Sequence, residues 1–542
     1  MKKLLNLIFL FLFFFTNAQN PYFDISKQME IYNDVLKTLS MNYIDDINFG
    51  DVMQQQTKKM LNGLDRFTTF YDEQGMLEVR MRQNGHYGGL GINVRIKDSL
   101  ILVTSIHKDT PAAKQGLKVG DKIVAIEGKK VSELSNKVAS NILKGPKGSS
   151  VHLAIERNGK TIQKTIERDD IVLDAVTATR IIDGNIGYIR FVKFNKKAAQ
   201  QVKSALLDLK TKGAQKLIID VRGNPGGLLN EVIKIVNFFI PKGKLVVKTK
   251  GRFKKYNTTF KTRNESIDEE IPIVILTNDR SASASEILSG SLQDYDRALI
   301  VGDTTYGKGL VQRTFNLKYG TYMKQTTSKY YIPSGRLIQK IDYWHRDKKN
   351  KPLRMSDTEK KKSFKTKGGR TVYNFGGVIP DVVVDDKIKS EVVKDLLKKN
   401  YIFDYATWYY FNKPKPQSVA DFQLTDKDFN MLIDYLGKHQ INPQTTAEKI
   451  LRNAYKKAKK ERLSKELEKR YNALFDAYNQ ADEQDMKMHK NLILDLISKD
   501  LVVRYFYSDG YVDYMLKTDK TIRKAKELLN DLSRYNKLLK KK

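Results

Sequence analysis

The sequence predicts an α+β multidomain protein. An α/β core lies mid-chain, a small strand-and-turn module precedes it, and helical regions flank both. Three observations carry this reading. From residue 185 onward the apolar runs "NIGYIRFVKF", "KLIIDVRG", "IPIVILTN" and "RALIVGD" alternate with helical stretches at 197–210 and 228–239. Strands alternating with helices indicate a largely parallel sheet covered by helices. Ahead of them, short alternating apolar runs broken by Gly and Asp suggest small strands and turns. After Pro380-Asp381 the composition shifts to lysine-rich amphipathic helix, clearest at 446–480, with few Gly or Pro and many i,i+4 charge pairs. At 542 residues the chain is too long for one ordinary core.

The first residues, "MKKLLNLIFLFLFFFTNAQN", have a positive start at Lys2 and Lys3, an apolar run from Leu4 to Phe15 and a small residue, Ala18. This is the pattern of a secretory signal (1–18) cleaved after Ala18. The run is short for a membrane span, which needs roughly 20 residues; a retained anchor is the alternative. A helical region follows at 19–84, where "ISKQMEIYNDVLKTLSMNYI" spaces its apolar residues as a helix does. There is no cysteine. That excludes a lipid-modified N-terminal cysteine, disulfides, cysteine metal sites and cysteine nucleophiles. An exported chain without disulfides fits a bacterial envelope, hence the periplasm.

The formal charge is +35, from 97 basic and 62 acidic residues. Such a surplus can signal nucleic acid, an anionic membrane or acidic partners. No nucleic-acid motif accompanies it, so a solvated surface is favoured and no nucleic-acid partner is expected.

In the small module, "GGLGI" precedes "PAAKQGLKVGDKIVAIEG". This stretch resembles a PDZ domain over residues 85–168. The resemblance implies that a peptide binds as an added strand, its C-terminal carboxylate held by backbone N–H groups of the loop at Gly89, Leu90 and Gly91, with Leu90 and Ile92 lining a pocket for an apolar C-terminal side chain. Glycines there let the backbone approach closely.

"NDRSASASEILSG" (278–290) places three serines between a buried strand and a helix. A hydroxyl at that turn sits near the positive end of a helix, and adjacent N–H groups can hold an oxyanion. Capping alone would explain a serine here. Downstream, however, "TTYGKGLVQRTF" sets Lys308 between two glycines and four residues before Gln312. In an extended segment those two share a face. None of the six histidines lies in a catalytic-looking context, and a lysine of lowered pKa can replace one as the base.

"LIIDVRGNPGGLL", "RSASASEILSGSLQDYDRALIVGD", "TYGKGLVQ", "YYIPSGRLIQ" and "GGVIPDVVV" then occur in the order found in the C-terminal processing peptidases, or tail-specific proteases. The chain resembles that family from about residue 64 to 384. The resemblance implies an α/β serine-protease core (169–384) with an inserted PDZ domain, followed by a C-terminal helical region (385–542). It makes Ser283 the nucleophile, Lys308 the general base, Gln312 its orienting partner and Asp294 an acidic residue implicated in some members. An ion pair at the helix end is the equal alternative for Asp294. Ala284 and Gly226, in preference to Gly227, would form the oxyanion hole, leaving Ser281 and Ser285 to capping or packing. No cofactor or metal is required. The implied partners are protein or peptide substrates with a free C-terminus; an adaptor protein and a homo-oligomer fit the same scheme. A non-catalytic PDZ scaffold of the cell envelope would keep the glycine loop and lose the serine–lysine pair; this sequence keeps both.

Overall fold

The computed structural model describes residues 21–97, 100–134, 136–462 and 464–539. The leader and its cleavage site lie outside them. No helix among the described residues is long and apolar enough to cross a membrane. The chain forms two compact units, one up to Phe70 and one from Tyr71 onward.

Among its described residues the first unit holds two helices, Pro21–Asn42 and Phe49–Asn62. Asn48 caps the second by accepting a bond from the Asp51 N–H (3.2 Å). Many of this unit's large apolar side chains, among them Phe23, Ile25 and Met29, are exposed.

The second unit opens with helix Glu73–Asn84 and then an antiparallel sheet in which Ile92–Lys97 is an edge strand, followed by Leu100–Ile106, Lys122–Ile126, Ser150–Arg157 and Lys160–Glu167. Its core gathers Leu90, Ile101, Val103, Ile123, Leu153 and Ile155.

The central sheet explains the apolar runs. Strand β1 (Val176–Ile182) is antiparallel to β2 (Ile186–Phe191). Then β3 (Lys216–Asp220), β4 (Ile273–Thr277), β5 (Ala298–Gly302) and β6 (Val382–Val383) follow in parallel. Alternate residues point to opposite faces. Leu217, Ile219, Ile273, Ile275, Ala298 and Ile300 pack under helices α1 (Ala198–Thr211), α2 (Leu229–Asn237) and α3 (Ala284–Asp294). Ile218, Val274, Leu276, Leu299 and Val301 meet Val512, Met515, Ile522, Leu528 and Tyr535 on the other face. A parallel sheet covered on both sides reads as unbroken hydrophobic sequence.

A second sheet joins Leu245–Gly251, Thr258–Lys261, Leu310–Asn316 and Tyr322–Tyr331 by antiparallel pairs. After it comes a helical region with its own core, including Leu396, Tyr405, Leu432, Ile497 and Leu501. The single long helix expected at 446–480 is two, Thr446–Lys460 and Lys465–Met488. Ser464 begins the second by accepting from the Leu467 N–H (3.3 Å), a cap that the continuing charge pattern hides.

Candidate active site

Strand β4 ends at Thr277 and α3 begins at Ala284, so Ser283 is the residue before the helix. Its φ is +56° and ψ −111°. Such a backbone in a non-glycine residue costs on the order of 1–3 kcal/mol and persists only where its surroundings enforce it. The enforcing group is Glu286, three residues on and fully buried. Its Oε2 accepts from the Ser283 N–H (2.8 Å) and from the Lys308 N–H (2.9 Å). Its Oε1 accepts from Thr305 Oγ1 (2.6 Å) and the Gly307 N–H (2.7 Å). One carboxylate oxygen therefore holds the backbones of Ser283 and Lys308 together, across 25 positions of sequence. Burial pushes the Glu286 carboxyl up from its ordinary pKa, and the four donors oppose that rise. Tyr330 Oη donates to the Ser283 carbonyl (3.2 Å). Burial, then the charge of Glu286, drives its phenol pKa well above the usual value.

The flanking serines fasten the turn. Ser281 Oγ donates to the Val221 carbonyl (2.8 Å) and accepts from the Asn278 N–H (3.0 Å). Ser285 Oγ donates to the Asn224 carbonyl (2.9 Å), which also accepts from the Ala282 N–H (3.0 Å). Both hydroxyls thus tie the turn to the loop after β3, and Asn224 Nδ2 anchors that loop to the Phe191 carbonyl (3.0 Å).

The loop needs its glycine. A Cβ on Gly226, at φ +92°, would lie 2.6 Å from the Ala282 carbonyl oxygen, 2.7 Å from the Ala284 nitrogen and 2.9 Å from Ser283 Cβ. The Ala284 N–H, first in the helix, has no acceptor among the described residues, nor does that of Gly227. The Gly226 N–H donates to Asn224 Oδ1 (2.9 Å).

Lys308 lies in the turn ahead of strand Leu310–Asn316, outside its regular alternation, and Gln312 lies within it. Gln312 Nε2 donates to Thr326 Oγ1 (3.2 Å) on the neighbouring strand. Asp294 closes the far end of α3, about 16 Å from Ser283 by helical rise. There it accepts from the Ser334 N–H (2.9 Å) and pairs with Arg336 (2.9 Å), both side chains 1 % exposed. The structure does not bring Asp294 to the serine.

Three groups beside the turn escape a reading of sequence alone: Glu286, Asn224 and the Asp220–Arg222 pair. The Ser-x-x-Glu spacing of a capping box signals the first. Burial raises the Asp220 pKa, but Arg190 (2.8 Å) and Arg222 (2.8 Å) outweigh it and hold the carboxylate far below its ordinary range. Arg222 reaches on to Asp519 (2.8 Å), which caps helix Lys520–Asn530.

In the smaller module Leu90 is buried and Gly91 has φ +79°. The carbonyls of Leu90 and Gly91 accept from Ala112 (3.0 Å) and His107 (2.9 Å). Their own N–H groups have no acceptor among the described residues, beside the open edge of strand Ile92–Lys97.

Comparison with known proteins follows these divisions. The model of peptidase family S41 matches residues 185–343, a PDZ domain model 88–167, and that of a probable PDZ-protease C-terminal helical domain 392–529. The carboxy-terminal-processing protease of Bartonella bacilliformis is 36 % identical over 331 residues, 60 % of this chain and 75 % of that one. The chain belongs to peptidase family S41, the carboxy-terminal processing proteases. It is a serine-type peptidase with a PDZ domain and a C-terminal helical domain. The carboxy-terminal processing protease CtpB of Bacillus subtilis is 31 % identical over 322 residues, covering 58 % of this chain and 66 % of the relative. Among solved structures, a photosystem II D1 C-terminal processing protease is 25 % identical and covers 63 % of this chain and 84 % of its own, with a TM-score of 0.37.

Proposed function

We propose that this peptidase works through a Ser283–Lys308 pair and cleaves exported polypeptides chosen by their free C-terminal tails. The observation that carries this is the single Glu286 oxygen accepting both the Ser283 and the Lys308 N–H. That arrangement ties the strained serine to the lysine turn before any substrate arrives, which is how a fold removes the entropic cost of bringing two groups together.

In this mechanism the neutral Lys308 amine takes the proton of Ser283 Oγ as the oxygen attacks the scissile carbonyl carbon. The carbonyl oxygen becomes an oxyanion, held by the Ala284 N–H and by that of Gly227 in place of Gly226, whose own N–H is committed to Asn224 Oδ1. Lys308 then gives its proton to the departing amine nitrogen as the C–N bond breaks, leaving an acyl-serine. A water attacks the ester, Lys308 accepts its proton, and Ser283 recovers its hydrogen as the new carboxyl product leaves. Gln312, two residues into the strand that follows the lysine, orients it. The uncommitted N–H groups of Leu90 and Gly91 bind the tail carboxylate, and strand Ile92–Lys97 receives the peptide along its free edge.

The test is cleavage of an unfolded casein-like protein. Ser283→Ala and Lys308→Ala should each abolish it while melting as wild type; normal turnover by either removes the assignment. Wild-type activity should climb from neutral to alkaline pH, because the base works only after losing its proton. A peptide with a free apolar C-terminus should be cut with higher kcat/KM than its amidated twin, and equal values refute tail selection.

A further inference from the structure

The second sheet carries an unusual charge distribution. Residues 244–263 and 310–331 contain 12 Lys and Arg and no Asp or Glu. Elsewhere the chain pairs its cations readily, as Arg222 does with Asp220 and Asp519. Among the described residues none of these 12 makes an ion pair. Lys250 and Lys329 even stand directly opposite each other in the antiparallel ladder, where like charges destabilise.

Aromatic rings take the place of carboxylates. The Lys250 amine lies 5.2 Å from the Tyr331 ring and that of Lys329 5.2 Å from Trp344. Lys255 and Arg313 flank Tyr256 at 5.2 and 5.3 Å, and Arg252 lies 5.5 Å from Phe253. A ring fixes a cation in place without neutralising it. Phe253 and Trp344 are each 56 % exposed. The result is a surface of positioned, uncompensated positive charge interleaved with open rings.

This surface leads to the serine. Leu310, two residues past Lys308, pairs with Lys329 of the patch, while the next residue, Tyr330, turns to the buried face and donates to the Ser283 carbonyl. Ser291 of α3 donates to the Val246 carbonyl (3.2 Å), so the helix that starts at the serine rests on the same sheet.

We propose that this sheet is the docking surface for an acidic stretch of the polypeptide substrate, which it draws toward Ser283. The inference rests on the peptidase reading above and adds a substrate class to it. An extended Asp- and Glu-rich segment supplies the carboxylates the sheet lacks, and its backbone passes from the patch to the site in one chain. A bilayer or a nucleic acid would satisfy the charge but has no reason to need a surface continuous with the serine.

The test uses two unfolded peptides with the same cleavable segment and the same free C-terminus. One carries four Asp or Glu upstream of the cut; the other has Asn or Gln at those positions. The readout is the ratio of their kcat/KM values within one enzyme, which cancels any general loss of activity. At low salt the wild type should favour the acidic peptide by roughly tenfold or more, since steering raises encounter rates by about 10 to 1,000-fold. Near 1 M salt, where the screening length is about 3 Å, the ratio should fall toward one. The combined variant Lys250→Gln, Arg252→Gln, Lys255→Gln, Arg313→Gln should show the low ratio at all salt concentrations. A wild-type ratio of one at low salt overturns the proposal, as does an undiminished ratio in the variant. The salt series needs no variant, so it decides the matter even if the fourfold change misfolds. If the variant keeps the ratio but stops sedimenting with phosphatidylglycerol vesicles, the patch is a membrane surface and the proposal fails. Cleavage of either peptide by Ser283→Ala would instead sink the serine assignment, a separate outcome.

Discussion

The two ends of helix α3 bury the same kind of group for opposite purposes. At the N-terminal end Glu286 is surrounded by neutral donors: three backbone N–H groups and the Thr305 hydroxyl. At the C-terminal end Asp294 faces the Arg336 guanidinium. A carboxylate ringed by backbone amides fixes where those amides lie, and here they belong to the serine and lysine turns. Asp294 fixes that cation and the Ser334 N–H, neither of which belongs to the serine or lysine turns. The difference teaches that burial alone does not mark a functional acid; the identity of its donors does.

The largest effect expected on this contrast is at Glu286. Glu286→Gln keeps the size but turns a donor toward N–H groups that need acceptors. A misplacement of about 1 Å at a reacting pair can cost about 100-fold in rate. We expect kcat to fall by at least that much on a peptide substrate. Wild-type kcat in this variant would erase the distinction between the two ends. Asp294→Asn should act differently. Breaking a buried pair strands Arg336 and should remove about 3–5 kcal/mol in urea unfolding, with kcat of the folded enzyme unchanged. A collapse of kcat at wild-type stability would move Asp294 into the chemistry instead. The smallest change expected is Ser281→Ala, which leaves the Asn278 N–H without its acceptor while the Val221 carbonyl keeps the Asn224 N–H (3.1 Å). It should cost about 1 kcal/mol and leave most activity, which a melt beside a rate measurement would check.

Legibility in sequence followed the range of the forces involved. "IPIVILTN" announced a buried strand because both faces of β4 are covered, and nothing polar interrupts it. The Gly-rich loop of the PDZ domain and the serine turn were visible because local backbone geometry demands particular residues there. Glu286 left only the Ser-x-x-Glu spacing of a capping box in the sequence. Its role comes from Gly307 and Lys308, which the chain returns to it more than 20 positions later. The Arg222–Asp519 pair spans 297 positions and leaves no local trace. Asn224 sits in a loop whose glycines draw the eye, yet its side chain holds that loop to β2. The shared face expected for Lys308 and Gln312 assumed one continuous strand, and the strand starts at Leu310, after the lysine.

The second face of the central sheet is supplied by residues 512–539, and Tyr535 both donates to and accepts from the backbone of Ile273 on β4 (2.9 Å each). Strand β4 leaves the ribosome some 260 residues before the tyrosine that completes its setting. The growing chain therefore carries its serine turn long before the sheet beneath it is covered. For an enzyme that cuts polypeptide, this order predicts that proteolytic competence waits until residues 512–539 have been made. Chains stalled before residue 512 should bind hydrophobic dyes and cut nothing, whereas chains extended past 539 should do the reverse.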